Sequence, residues 1–176
     1  MSLDSLQHSR YFQHYHQDLP TLDPTFTPDQ YYDYSPLLFW AMIATGSRRY
    51  SEDPTLLLRI GPKVCNMALQ SLANIPQYIQ LIQAVLLLCN WPPPLETIFN
   101  DPSLVLCGVA MQLAVQHGLH MSDTRQGFEL DQLRSEKDHE AARIKPMRGN
   151  DGMLWTYCKI VCQRLDPSRP RGRSFG

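Results

Sequence analysis

The segment from Pro76 to His120 constrains this chain most, because it sets two apolar helices on either side of a turn that no helix can cross. Ile75, Ile79, Ile82, Leu86 and Cys89 recur at steps of three and four, which predicts a helix over Pro76–Cys89. Asn90-Trp91-Pro92-Pro93-Pro94 ends it, since each proline lacks an N–H and restricts the residue before it. Asp101 is placed to cap a second helix, with Pro102 in the first turn, where a missing N–H costs little. Leu106, Val109, Ala110 and Leu113 form the stripe of that helix. Gly118 suits a left-handed C-terminal cap, from which Leu119 folds back towards Ala114. Two helices this apolar need cover from the rest of the chain, and the fold class this predicts is all-α.

The same cap-then-proline device recurs upstream. Ser35-Pro36 opens a helix whose body, Leu37 to Ala44, is apolar on every side and therefore central to the core. Asp53-Pro54 opens another before Leu56, Leu57, Leu58 and Ile60, which Gly61-Pro62 is expected to break before Val64, Met67, Ala68 and Leu72 resume it. Leu3–Gln17 is expected to be helical through Leu6, Tyr11, Phe12 and Tyr15, and Thr21–Tyr34 to be a proline-punctuated connection. No segment alternates with the period of two that marks a strand. The architecture expected is an antiparallel helical bundle or short helical array.

Beyond His120 the pattern changes. Leu130–Ala142 reads as a solvated helix, Ile144–Gly152 as a loop, and Met153–Leu165 as a last helix with Leu154, Tyr157, Ile160 and Val161 on one side. Asp166–Gly176 carries Arg169, Arg171 and Arg173 among Pro, Ser and Gly, and reads as a disordered tail.

Candidate chemistry is sparse. His117 and His120 flank Gly118-Leu119, but no further metal ligand is spaced to join them, and a helix C-terminus favours such side chains anyway. His8, His14 and His16 read as one polar face of the first helix. Cys158 and Cys162 stand one turn apart, which is two ligands short of a zinc site. All five cysteines, including Cys65, Cys89 and Cys107, read as packed, reduced thiols. No phosphate loop, nucleophile elbow or H-E-x-x-H pattern occurs, so no catalytic, cofactor or metal residue is assigned and an enzyme is not expected. Arg48-Arg49 and the arginine-bearing tail are the basic clusters, and with a net charge of −1 they give no general attraction to nucleic acid. The most apolar run, Ile79–Cys89, is interrupted by Gln80 and Gln83 and is too short to span a bilayer, and no signal peptide opens the chain.

Several stretches carry a resemblance. Tyr11 to His16, Leu19 to Pro24, Ser35 to Trp40 and Gly46 to Tyr50 are similar to the entry of the fungal-specific transcription factor domain, the middle homology region of zinc-cluster regulators. Leu86-Leu87-Leu88-Cys89-Asn90-Trp91-Pro92, Gly108 to Ala114 and His117-Gly118-Leu119-His120 continue the likeness, and Trp155 to Val161 with Gln163-Arg164 resembles the family's next helix. Within the family the motifs look most like activators of secreted proteases and, more loosely, the leucine-biosynthesis regulator.

The resemblance implies a regulatory, non-enzymatic domain over residues 1–165 of a nuclear transcription factor, modulating transcription by RNA polymerase II, with residues 166–176 as its tail. It implies dimerisation with related regulators and, in some members, a small metabolite effector. The family's zinc cluster has no counterpart before Tyr11, so zinc and DNA are expected only through a separate N-terminal domain. The family runs one helix from His139 to Trp155, and 144–152 departs from it as an atypical loop. On this reading the chain is a fragment truncated at both ends, with apolar faces near Trp40 and Leu86 partly uncovered. Two alternatives stay open: a stand-alone interaction module, and a metabolite-binding domain with a pocket near Arg48 and Arg49.

Overall fold

The computed structural model describes residues 3–75, 77–94, 101–121 and 151–165. These form seven α-helices: α1 (Leu3–His14), α2 (Pro28–Tyr34), α3 (Pro36–Gly46), α4 (Leu56–Ser71), α5 (Tyr78–Asn90), α6 (Ser103–Gln116) and α7 (Asp151–Leu165). Short 3-10 turns follow α3 at Ser47–Arg49 and α6 at Leu119–Met121. No strand occurs among the described residues, and the all-α expectation holds.

The centre is a pair of helices without a polar side. Every residue of α3 from Leu37 to Gly46 is buried except half-buried Trp40, and in α5 the run from Leu81 to Cys89 is buried throughout. Such helices have to be enclosed. α3 is packed by α1, α2, α4 and α5, and α5 by α3, α4, α6 and α7. The result is a short helical array in which Leu86 is fully buried, contrary to the uncovered face expected there. Exposed apolar residues are spread over several helices, among them Leu58 of α4 at 55% and Leu104 and Val105 of α6 at 55% and 60%.

The cap-then-proline device caps a helix only at Ser35; α4 and α6 start from Thr55 and Pro102, which make no side-chain cap bond, and there Asp53 and Asp101 brace the turn ahead of the helix instead. Ser35 serves two helices: its N–H closes α2 on the Tyr31 carbonyl (2.9 Å), and its Oγ accepts the Leu38 N–H (3.3 Å) to open α3. Asp53 Oδ1 accepts from the N–H and hydroxyl of Thr55 (3.0 and 2.6 Å), and Asp101 Oδ1 from the Ser103 N–H (2.9 Å). Gly118 adopts φ 73°, the left-handed conformation predicted for it.

Four further expectations need correction. The connection Thr21–Tyr34 contains α2, started by a capping box in which Gln30 Oε1 accepts the Thr27 N–H while Thr27 Oγ1 accepts the Gln30 N–H. Gly61-Pro62 does not break α4. Pro62 and Leu58 are both exposed, so water can replace the bond that proline removes, and Gly61 is there for contact: a Cβ on it would lie 2.5 Å from Pro93 Cβ. In α7 the buried positions are Leu154, Cys158 and Val161, whereas Ile160 is 37% exposed. Asp151 and Gly152, assigned to the loop, open α7, while residues 144–150, the helix expected at Leu130–Ala142 and the tail lie outside the described residues.

Candidate functional site

The two histidines at the end of α6 face different partners. The His117 ring stacks on Tyr78 at 3.6 Å and 3°, whereas His120 tilts against Trp155 at 5.8 Å. Gly118 turns the chain between them, so they do not converge. Among the described residues no group of three or more His, Cys, Asp or Glu side chains is arranged to hold a metal ion.

The three histidines of the first helical segment are not one polar face. His14 is exposed, but His8 and His16 sit in an aromatic cluster with Phe12, His8 at 4.9 Å and His16 at 5.0 Å between ring centroids. His8 Nε2 also lies 3.1 Å from the Phe26 carbonyl. Burial lowers the pKa of both rings from 6.5 because the cation loses water there. The cluster ties the linker to α1 and α2: the Tyr31 hydroxyl donates to the Asp23 carbonyl (2.7 Å), and burial pushes both the Tyr31 and Tyr11 phenols upward.

Arg48 and Arg49 secure the exit of α3. Arg48 Nη1 donates to the Pro92 carbonyl (2.8 Å), tying α3 to the proline turn after α5, and the Arg49 carbonyl accepts from Arg10 Nη1 (2.5 Å). Neither arginine lines the cleft found among the described residues. The cleft of about 230 Å³ instead lies among the N-terminal halves of α1, α2 and α3, lined by Asp4, Ser5, Pro28, Asp29, Tyr32, Phe39 and Trp40. Its Tyr32–Phe39 and Phe39–Trp40 ring pairs meet edge to face at 5.5 and 5.3 Å. With two carboxylates and no cation in that wall, its chemistry suits an amine better than the organic acid that arginines would attract.

The cysteines give the largest departure from the reading of packed, reduced thiols. Cys107 and Cys162 are joined as a disulfide between α6 and α7. Cys65, Cys89 and Cys158 are free and buried, and burial pushes the Cys89 and Cys158 thiols up to about 12. Cys158 and Cys162, paired by spacing, therefore part company: one faces the core and the other faces Cys107. Sequence spacing carries no signal for a bridge across a separation of 55; the signal lay in helix phase, because Cys107 belongs to the buried stripe of α6.

Polar atoms inside the core are also informative. Gln83, in the fully buried run of α5, donates through Nε2 to the Thr21 carbonyl (2.6 Å), which is why a glutamine is tolerated there. Gln7 is fully buried, and neither atom of its amide has a partner among the described residues.

Comparison with known proteins gives this helical array a family. A sequence model described as the fungal specific transcription factor domain matches residues 8–148. The transcriptional regulatory protein SEF1 of Candida albicans is 33% identical over 116 residues, which is 65% of this chain and 12% of that protein. A SEF1 protein of Kluyveromyces lactis is 36% identical over 90 residues, or 51% of this chain and 8% of its own length. The regulatory protein LEU3 of Saccharomyces cerevisiae is 25% identical over 169 residues, or 88% of this chain and 18% of that protein. The chain thus spans less than a fifth of the length of these relatives. No solved structure matches it. The family match covers most of the helical core, and the chain belongs to the fungal-specific transcription factor domain family.

Proposed function

We propose that this chain acts as the regulatory middle section of a fungal zinc-cluster transcription factor, a non-enzymatic helical unit that restrains or transmits the activity of a nuclear regulator. The observation that carries this reading is the family match over residues 8–148, supported by relatives named as transcriptional regulators. In this role DNA is contacted through a separate zinc-binding domain, and this chain supplies packing surfaces. Control of protease or nutrient-utilisation genes follows from motif likeness alone. The test is a fusion of the chain to a heterologous DNA-binding domain, read on a reporter across nutrient conditions. Reporter output that changes supports regulation; output indistinguishable from the DNA-binding domain alone in every condition counts against it.

A second reading, an interaction module that associates with a related regulator, is favoured by α6. Its outward positions Leu104, Val105 and Val115 are exposed, and Gly108 among them has open space around it. A helix apolar on its outer side is costly to leave in water. Sedimentation of the chain alone and mixed with a SEF1-type relative measures this. A monomer that persists in the mixture removes it.

A further inference from the structure

The disulfide among the described residues joins α6 to α7 through Cys107 and Cys162, whose Cα atoms lie 5.9 Å apart. We infer that Cys107 and Cys162 are a reversible oxidation site, opened and closed by exchange with low-molecular-weight thiols and disulfides, which clasps α7 onto α6 when oxidised. This goes beyond the regulatory reading and does not depend on it, because the chemistry resides in the thiols.

The helices bring the two sulfurs together without needing the bond. Leu154, Cys158 and Val161 bury α7 against α5 and α6, so the Cα separation falls in the range a disulfide accepts. The two sulfurs differ in access. Cys107 is only 3% exposed, whereas Cys162 lies half-buried at the edge of the α6–α7 contact, so an external reagent meets Cys162 first. Disulfides with an accessible sulfur are the labile ones. The remaining thiols do not compete. Cys65, Cys89 and Cys158 are all buried, and loss of water holds them in the unreactive protonated form.

The exchange balances with a glutathione-type disulfide as oxidant. The Cys162 thiolate attacks one sulfur of the reagent, forming a mixed disulfide and expelling one thiolate, which takes up the proton Cys162 lost. Cys107, held beside Cys162 by the helix packing, then attacks the Cys162 sulfur as it gives up its proton, and the second expelled thiolate takes that proton. Two protein thiols become one protein disulfide, and one reagent disulfide becomes two thiols. Reduction is the same sequence reversed.

The full chain is equilibrated in graded mixtures of reduced and oxidised glutathione, quenched with acid, alkylated, and read by thiol count, peptide mass and Tm. Five thiols are expected in the reduced protein and three after oxidation, the difference of two being the pair. The oxidised form should carry a Cys107–Cys162 peptide and melt about 10 °C higher. Brief alkylation of the folded reduced protein should label Cys162 before the other four. Cys162→Ser should abolish the Tm shift, and Cys158→Ser should preserve it. Should Cys162→Ser fail to fold, the peptide map of the unmutated chain decides alone. A bridge involving Cys89 or Cys158, a cross-linked dimer, five thiols at every glutathione ratio, a bridge that stays closed at the most reducing one, or a melting temperature indifferent to oxidation would each overturn the assignment.

Discussion

At the scale of single residues the sharpest contrast is between two glycines that both sit in helices. Gly46 ends α3 where α1 crosses it, and a Cβ there would lie 2.3 Å from the Gln7 carbonyl oxygen. The obstacle is backbone, which cannot rotate aside. Gly46→Ala is therefore expected to destabilise the fold by about 1–3 kcal/mol, outweighing the ~1 kcal/mol that alanine gains over glycine in a helix. Gly108 is exposed on α6 with nothing within 4 Å of its Cβ direction, so Gly108→Ala should gain roughly 0.5–1 kcal/mol. Urea denaturation of the two variants should move in opposite directions, and shifts of the same sign would contradict this account. Gln7 gives a further test. Its buried, unpartnered amide pays for desolvation without recovering a hydrogen bond, so Gln7→Leu should stabilise by about 1–2 kcal/mol. A loss of stability in the same assay would mean the amide has partners after all.

The histidines add a pH dependence whose sign follows from burial. His8 and His16 have folded pKa values below 6.5, so across that interval the unfolded chain binds more protons than the folded one. Stability then rises with pH up to about 6.5 and declines on acidification below it. Asp23 faces His16 and partly offsets this, but desolvation is the larger cause for both rings. The urea midpoint at about pH 5.5 should lie below that at about pH 7.5, and His8→Phe should flatten the slope. An unchanged or higher midpoint in acid would show that these rings are not buried as neutral bases.

Among elements, the joint between α2 and α3 rests on one serine. Ser35 is 8% exposed, terminates α2 through its N–H and caps α3 through its hydroxyl. Ser35→Ala keeps the first bond and loses the second, so a cost of about 1 kcal/mol is expected by denaturation, and no measurable cost would remove the cap from the account. This joint was legible in the sequence because Ser-Pro is local: the cap and the proline act within one turn. The failures were equally physical. Pro62 stops a helix only if its lost hydrogen bond is buried, and exposure is a tertiary fact. The α2 capping box spans only Thr27 to Gln30, but two nearby prolines obscured it. Leu86 looked uncovered because the resemblance implied missing helices, whereas α3, α4, α6 and α7 pack around α5 and bury it. The candidate site was less legible still. Arg48 and Arg49 suggested a ligand by charge alone, whereas their contacts with Pro92 and Arg10 depend on how α3, α5 and α1 are placed.

At the level of the whole molecule, the helices are held with unequal strength. α3 and α5 are enclosed on all sides, so their amides exchange only when the entire core opens. α7 is held by Leu154, Cys158 and Val161 on one face, by the Trp155 contact with His120 and the Arg164 Nη1 donation to Asn90 Oδ1 (2.7 Å), and by the Cys107–Cys162 bond. That bond closes a loop with a sequence separation of 55, for which the chain-entropy account gives roughly 4 kcal/mol. In the oxidised chain α7 cannot leave α6 without breaking a covalent link, so its opening is coupled to that of the core. In the reduced chain it is free to undock first. Native-state hydrogen exchange should therefore rank α7 near α5 when Cys107 and Cys162 are joined, and several kcal/mol less protected after reduction. α3 and α5 should remain the slowest-exchanging helices in both states. If α7 matched α5 with the bond reduced, packing alone would hold it, and the disulfide would be a passenger on an interface already complete.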